Sequence, residues 1–306
     1  MKIGVLGMSP GNAHPYSWSA IVNGQFDADE ITKVGYPAVA AYLEANKQTL
    51  GVSGAKVTCV WAQEKAIAES IAYATGIKHV ADSPEKMVGM VDAVLLMRDD
   101  PENHVEMSRP FIDAGIPIFV DKPLAVTIPD LEYFANESAK GKIIMSSSSM
   151  RYSSETMVVK QEMELGGLGK IELITGVGKK DWNKYGVHHL EALFTLMDDA
   201  RPVSVRHIGE TNRDVVQISF ANGVTSIICL FMDIAGTLQL SVFGQNAWRM
   251  IDAKNSYCMF RDNAVEFIRS VSEGKARLSF DKTENIIRTL IAANDSLAQG
   301  GKLIEF

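Results

Sequence analysis

The chain has 306 residues, 46% of them hydrophobic and 22% charged, the composition of a globular protein long enough for two cores. A net charge of −7 leaves no basic footprint for nucleic acid or an anionic membrane surface, so neither is expected as a partner. The three cysteines, Cys59, Cys229 and Cys258, are scattered, which argues against a metal knuckle and fits a reducing cytoplasm.

Lys2 to Leu6 reads as a strand that begins at once, so no signal peptide is expected. No apolar run is long enough to cross a bilayer. The strand ends in Gly7-Met8-Ser9-Pro10-Gly11-Asn12-Ala13-His14. A tight glycine turn between a strand and a helix aims backbone N–H groups at a phosphate. Gly7 fits the first position of G-x-G-x-x-G, Ser9 and Asn12 hold the other two, and Gly11 is out of phase. The segment therefore reads either as a nucleotide loop, with Gly7, Ser9, Pro10, Gly11 and Asn12 as its contacts, or as an ordinary turn. His14 reads as a cap or packing residue of the helix that follows, with ligand contact as the alternative. That helix runs through Tyr16 and stops at Gly24.

Val39 to Leu50 looks like a further amphipathic helix, in a connection longer than a minimal strand–helix–strand unit needs. The next strand, Lys56 to Trp61, should carry an acid at its tip to hold a ribose diol. Ala62-Gln63-Glu64 stands there instead, so Gln63 and Glu64 are the available ribose partners and NAD versus NADP stays open. Ala66 to Thr75 is a helix ended by Gly76. Val91 to Met97 is a buried strand that runs into Arg98-Asp99-Asp100-Pro101-Glu102-Asn103-His104 and a helix through Ala114. Ile118, Phe119 and Val120 form another buried strand, and Pro123 ends it because proline has no N–H for the ladder. Asp121 and Lys122 thus sit at the carboxyl end of a parallel strand, the edge where open α/β sheets bind ligands. A partly desolvated lysine there can act as an acid or base near neutral pH; the alternative is a surface charge pair. The steady alternation of strand and helix predicts a parallel, doubly wound sheet.

Beyond Ser146–Ser149, a short polar junction, the pattern changes. Val203–Glu210, Val215–Phe220, Thr225–Phe231 and Leu238–Phe243 read as antiparallel strands, with Asn222-Gly223 as a hairpin turn. Phe260–Val271 and Lys282–Leu297 read as closing helices.

The order of strand, polar turn, His104, helix, Ala114-Gly115, strand and Asp121-Lys122-Pro123 resembles the Gfo/Idh/MocA oxidoreductases, relatives of glucose–fructose oxidoreductase and inositol dehydrogenase. In that family a Thr-Pro turn precedes the histidine and a Glu-Lys-Pro follows the Ala-Gly. Here Asp99-Asp100 replace Thr-Pro and Asp121 replaces Glu, and the register holds without a gap from His104 to Lys122. Met150-Arg151-Tyr152, Gly166-Gly167-Leu168-Gly169-Lys170-Ile171 and Phe267–Lys275 extend the resemblance over nearly the whole chain. It implies an α/β fold: an N-terminal Rossmann domain over residues 1–123, and an α+β domain over 124–306 with an open, mostly antiparallel sheet. The closing helices are expected to pack back on the first domain.

The resemblance also implies a function, NAD(P)-dependent hydride transfer at a carbinol carbon of a sugar, polyol or related small molecule. NAD or NADP is the implied cofactor. Gly7, Ser9, Pro10, Gly11, Asn12, Gln63, Arg98, Asp99, His104 and Asp121 are its expected contacts. The family carries an Asp-x-Gly-x-His motif for proton transfer, and Lys184-Tyr185-Gly186-Val187-His188-His189-Leu190-Glu191 stands in its place. Gly186 and His188 match, Lys184 replaces the acid, and Asp181 is the nearest substitute. On a regular helix Lys184, His188 and Glu191 would share one face. The expected catalytic set is Lys122, His188, Lys184 and Glu191, with Lys122, His188 and Arg151 touching substrate and no metal. The family also implies a homodimer or homotetramer built through the C-terminal sheet. A non-catalytic dinucleotide- or sugar-binding regulator is the alternative, favoured by the altered glycine turn and by Lys184.

Overall fold

A computed structural model describes residues 1–306, which divide into two compact units. In the first, β1 (Lys2–Gly7), α1 (His14–Asn23), α2 (Ala28–Lys33) and α3 (Pro37–Ala45) lead to β2 (Lys56–Ala62) and α4 (Lys65–Thr75). Then come β3 (His79–Val80), β4 (Ala93–Leu96), α5 (His104–Asp113), β5 (Ile118–Val120), α6 (Ile128–Ala139) and β6 (Ile144–Met145). The strands lie in the order β3-β2-β1-β4-β5-β6, a six-stranded sheet whose neighbours are all parallel. β4 and β5 are buried at every position, as strands covered on both faces must be. Gly24 ends α1 in the left-handed region at φ 67°, which a residue without a Cβ adopts freely. The segment between α1 and β2 carries two helices, and the second ends at Ala45 before a short 3₁₀ turn over Lys47–Thr49.

This unit does not stop at residue 123. It comprises Met1–Ala125, Glu132–Ser147 and Phe260–Phe280. β6 pairs in parallel with β5, so hydrogen bonding holds it to the first sheet. The late segment returns because its aromatic rings find partners there. Phe260 lies 6.3 Å from Trp18, and Phe267 lies 5.9 Å from Phe119 in an edge contact.

The second unit comprises Val126–Leu131, Ser148–Met259 and Asp281–Phe306. Along the chain follow α7 (Ser154–Glu164), β7 (Ile171–Lys179), α8 (Val187–Leu196), β8 (Pro202–His207), β9 (Arg213–Phe220), β10 (Thr225–Phe231), β11 (Leu238–Gly244) and β12 (Trp248–Asp252). α9 (Ser256–Glu273), α10 (Phe280–Ala298) and β13 (Ile304–Glu305) close the chain. The seven-stranded sheet runs β12-β11-β7-β10-β9-β8-β13. Only β7 and β10 pair in parallel; every other neighbour is antiparallel. Burial alternates along β9 and β10, the mark of a sheet with one covered face. The other face leaves Val177, Phe243, Trp248 and Met250 exposed. No helix of the chain is long and apolar enough to cross a membrane.

Candidate functional site

The first turn of the Rossmann unit is tied to the lysine turn through one carboxylate. Asp121 is 2% exposed. Its Oδ2 accepts from Asn12 Nδ2 at 2.8 Å and meets His14 Nδ1 at 2.6 Å. Its Oδ1 accepts the Lys122 backbone N–H at 2.8 Å. Burial would raise the pKa of this carboxyl. His14, the Lys122 ammonium and Asn12 outweigh that and hold it well below the usual carboxylate range. Asp121 and Asn12 are thus the rivets between the β1 and β5 turns. His14 fills the packing role expected of it, with its ring 5.2 Å from Phe260. Lys122, 8% exposed, leaves the end of β5 between this carboxylate and a cis Pro123.

The turn after β1 has the features a diphosphate needs. α1 has no acid of its own in its first turn, and its first N–H, that of His14, is taken by Asn12 Oδ1 at 2.9 Å. Gly11 has φ +80° and nothing within 4 Å of where a Cβ would stand. The backbone of Ser9–Asn12 is therefore the candidate cradle for a dinucleotide phosphate. The ribose end differs from a plain acid tip. Gln63 Oε1 accepts from Met8 N at 3.1 Å and from Arg98 Nη1 at 3.0 Å, while its amide donates to the Met8 carbonyl. Arg98 is also paired with Asp100, its Nε donating at 2.8 Å. Ser9 Oγ bonds Asp99, and the Asp99 backbone N–H returns to Ser9 Oγ at 3.0 Å. Gln63, Arg98, Asp99 and Ser9 thus lace together the tips of β1, β2 and β4. His104, fully buried, spans the carbonyls of Leu124 at 3.0 Å and Arg98 at 2.9 Å, so both its nitrogens face protein.

In the second unit the motif around His188 opens with a turn of π-helix, Trp182–Gly186, before α8 begins at Val187. The extra residue per turn breaks the regular spacing that would have set Lys184 beneath His188. Asp181 caps this turn by accepting Lys184 N at 3.1 Å, so it serves the backbone rather than the imidazole. Trp182 anchors the turn, its N–H on Asp214 at 3.2 Å and its indole N–H on the Leu290 carbonyl at 3.0 Å. Lys184 itself is exposed. Gly186 is hemmed by the Trp182 ring, 2.8 Å from where a Cβ would sit.

The group at His188 Nδ1 is Ser148 Oγ, at 2.6 Å. Glu191, one turn along α8, is 1% exposed and holds the Ser148 backbone N–H at 3.1 Å and Arg151 Nε at 2.7 Å. Arg151 gives its other nitrogens to Asp199 at 2.8 and 3.3 Å, and Lys282 completes the cluster with Asp199 at 2.9 Å. Burial raises the Glu191 pKa and the Arg151 charge works against it. Arg151 and Glu191 thus act first on each other. His189 points the other way, fully buried, and burial lowers its pKa. Its ring lies over Gly176 and Gly178 of β7, where an added Cβ at Gly176 would come within 2.9 Å. Ser148 was not singled out by sequence reading. Its only signal was membership of a polar run, Ser146–Ser149, that reads as a junction.

A family model described as "Oxidoreductase family, NAD-binding Rossmann fold" (GFO_IDH_MocA) matches residues 30–147. Inositol 2-dehydrogenase 1 of Saccharopolyspora erythraea is 30% identical over 131 residues, 41% of this chain and 39% of that protein. The match thus spans well under half of the relative's length. The crystal structure of myo-inositol 2-dehydrogenase from Lactobacillus plantarum superposes with a TM-score of 0.80 at 16% identity, over 100% of this chain and 99% of that one. The scyllo-inositol dehydrogenase of Lactobacillus casei, solved with NAD(H) and scyllo-inositol, gives 0.78 at 12% identity, over 100% and 98%. Both structures speak to the fold. With the Rossmann strand order and the uninterrupted run from His104 to Asp121-Lys122-Pro123, the match over residues 30–147 makes that segment similar to the NAD-binding Rossmann part of the Gfo/Idh/MocA oxidoreductases.

Proposed function

We propose that the chain is an NAD(P)-dependent oxidoreductase that transfers a hydride to or from a carbinol carbon of an inositol or a similar polyol or sugar. The observation that carries this reading is the Asp121 junction. One buried carboxylate fixes both the candidate dinucleotide turn, through Asn12 and His14, and the backbone of Lys122. Such a junction holds an ammonium in a set relation to a bound cofactor, which is what oriented hydride transfer requires. The nicotinamide, when bound, supplies the hydride chemistry. Lys122 stabilises negative charge on the substrate oxygen, and His188 takes or gives the hydroxyl proton. Arg98, Asp99, Gln63 and His104 serve the cofactor side by fixing the turns it meets. Arg151, Glu191 and Lys184 are assigned to shaping the His188 segment; Arg151 is not needed as a substrate ligand.

The reading extends to a cytoplasmic homodimer or homotetramer formed through the exposed face of the seven-stranded sheet. Trp248 and Met250, 59% and 57% exposed, support it. Light scattering should return a mass above the 33.4 kDa of one chain.

The functional test is absorbance at 340 nm with NAD⁺ and NADP⁺ against a panel of inositols, sugars and polyols, beside equilibrium dialysis of both dinucleotides. Turnover of a polyol supports the reading. Tight binding of a dinucleotide with no turnover of any carbinol or carbonyl selects the regulatory alternative, which the lysine at position 184 favours. Absence of dinucleotide binding at millimolar levels removes both.

A further inference from the structure

We propose that Ser148 is the positioning residue of His188: its hydroxyl holds Nδ1 and directs proton exchange with substrate to Nε2. The inference rests on the proton-carrying role given to His188 above. Ser148 Oγ is 2.6 Å from Nδ1 and accepts the Met150 N–H at 3.2 Å. A hydroxyl has one hydrogen and two lone pairs, so after serving Met150 it keeps one of each. It can donate to an unprotonated Nδ1 or accept from a protonated one. A carboxylate in this place could only accept, and would favour the charged ring. Ser148 therefore holds the same ring orientation whether Nε2 carries a proton or a lone pair, as a group that must both take and return a proton requires.

The serine is itself well fixed. It is 1% exposed. Its backbone N–H is held by Glu191, which shares α8 with His188, and Glu191 is braced by Arg151. The Asp181 carboxylate, the acid nearest in sequence, caps the backbone at Lys184, so the serine is the side chain observed at Nδ1. Serine and histidine are thus mounted on one rigid frame, and neither needs the residue at position 184 to find the other.

The test uses the full chain. Nitrogen-15 spectra of His188, recorded without cofactor or substrate, read the hydrogen bonding of Nδ1 directly. Ser148→Ala should shift the Nδ1 resonance, because that nitrogen loses its hydroxyl partner. Ser148→Thr, which keeps the hydroxyl, should restore it. With a polyol substrate, Ser148→Ala should lower kcat on the order of tenfold or more while dinucleotide affinity stays within about twofold, and Thr should recover kcat. A His188 Nδ1 resonance unchanged in a folded Ser148→Ala protein overturns the proposal, whatever the activity does. Loss of kcat that Thr does not rescue also overturns it. If the parent turns over no carbinol, the enzyme reading fails, and the spectra still decide whether Ser148 positions the ring.

Discussion

Replacing Arg151 with Met separates a buried structural cation from a substrate ligand. The guanidinium donates to Glu191 at 2.7 Å and to Asp199 at 2.8 and 3.3 Å. After the change Asp199 keeps Lys282 at 2.9 Å, on a side chain partly open to water. Glu191 has no such reserve. It is 1% exposed, and its remaining partner in the cluster is the Ser148 N–H at 3.1 Å. Removing one member of a buried ion pair and stranding the other costs roughly 3–5 kcal/mol. The loss should fall on the second unit and lower its unfolding temperature by on the order of 10 °C. Urea unfolding at pH 7 with a circular-dichroism readout measures it. Arg151→Met with Glu191→Gln removes the stranded charge and should regain about half of the loss or more. A loss below about 1 kcal/mol, the range of a surface pair, together with a raised KM for substrate, would refute the structural assignment and make Arg151 a substrate ligand.

Lys122→Met should lower kcat/KM on the order of 10²-fold, about 3 kcal/mol of transition-state stabilisation, with dinucleotide affinity within a few-fold; parental turnover with the true substrate would remove the role given to this lysine. Gly11→Val forces a β-branched residue into φ +80° and should weaken dinucleotide binding by about tenfold or more; equilibrium dialysis at parental affinity would clear Gly11 of any part in the cradle. His189 gives a pH dependence of stability. Its folded pKa lies below the ordinary 6.5, so the unfolded chain takes up a proton first as pH falls. The stability it contributes is complete above pH 6.5 and is lost below it, by up to about 1.4 kcal/mol per pH unit until the folded ring titrates. His189→Leu should flatten that part of the acid-unfolding curve, and a parallel fall in both proteins would show that the ring is not the source.

What could be read from the sequence was local or periodic. The strand ending in Asp121-Lys122-Pro123 is legible because three apolar residues and a proline state both its burial and its end. α1 and α4 are legible because a glycine marks each C-terminus. β7 was not anticipated. Gly176 and Gly178 interrupt the β-branched pattern, and the reason for them lies in His189, a contact between separated elements. The parallel pairing of β7 with β10 also belongs to tertiary order rather than to composition. The limit of the first unit escaped for the same reason. Nothing near residue 123 says that β6 will join the sheet or that Phe260 will return to Trp18. In the site, the residue types were legible and several partners were not. Glu191 was expected under His188; it supports the Ser148 backbone instead, and the serine reaches the ring. A π turn cannot be seen in a periodicity that assumes a regular helix.

The pair of bare positions on β7 sets how near α8 can come to its sheet. The imidazole of His189 lies in the space that two side chains would otherwise fill, so the approach of the helix to the strand depends on both glycines. His188 is the residue before it on that helix, so a shift of the backbone at His189 is felt at His188. Strand preference alone would put alanine before glycine at Gly176 and Gly178, but a Cβ at either would meet the buried His189 ring. Filling either one should displace the helix and with it His188, the proposed proton carrier. Alanine at either position should therefore lower thermal stability and shift catalytic rate together, with no change in a residue proposed to touch substrate.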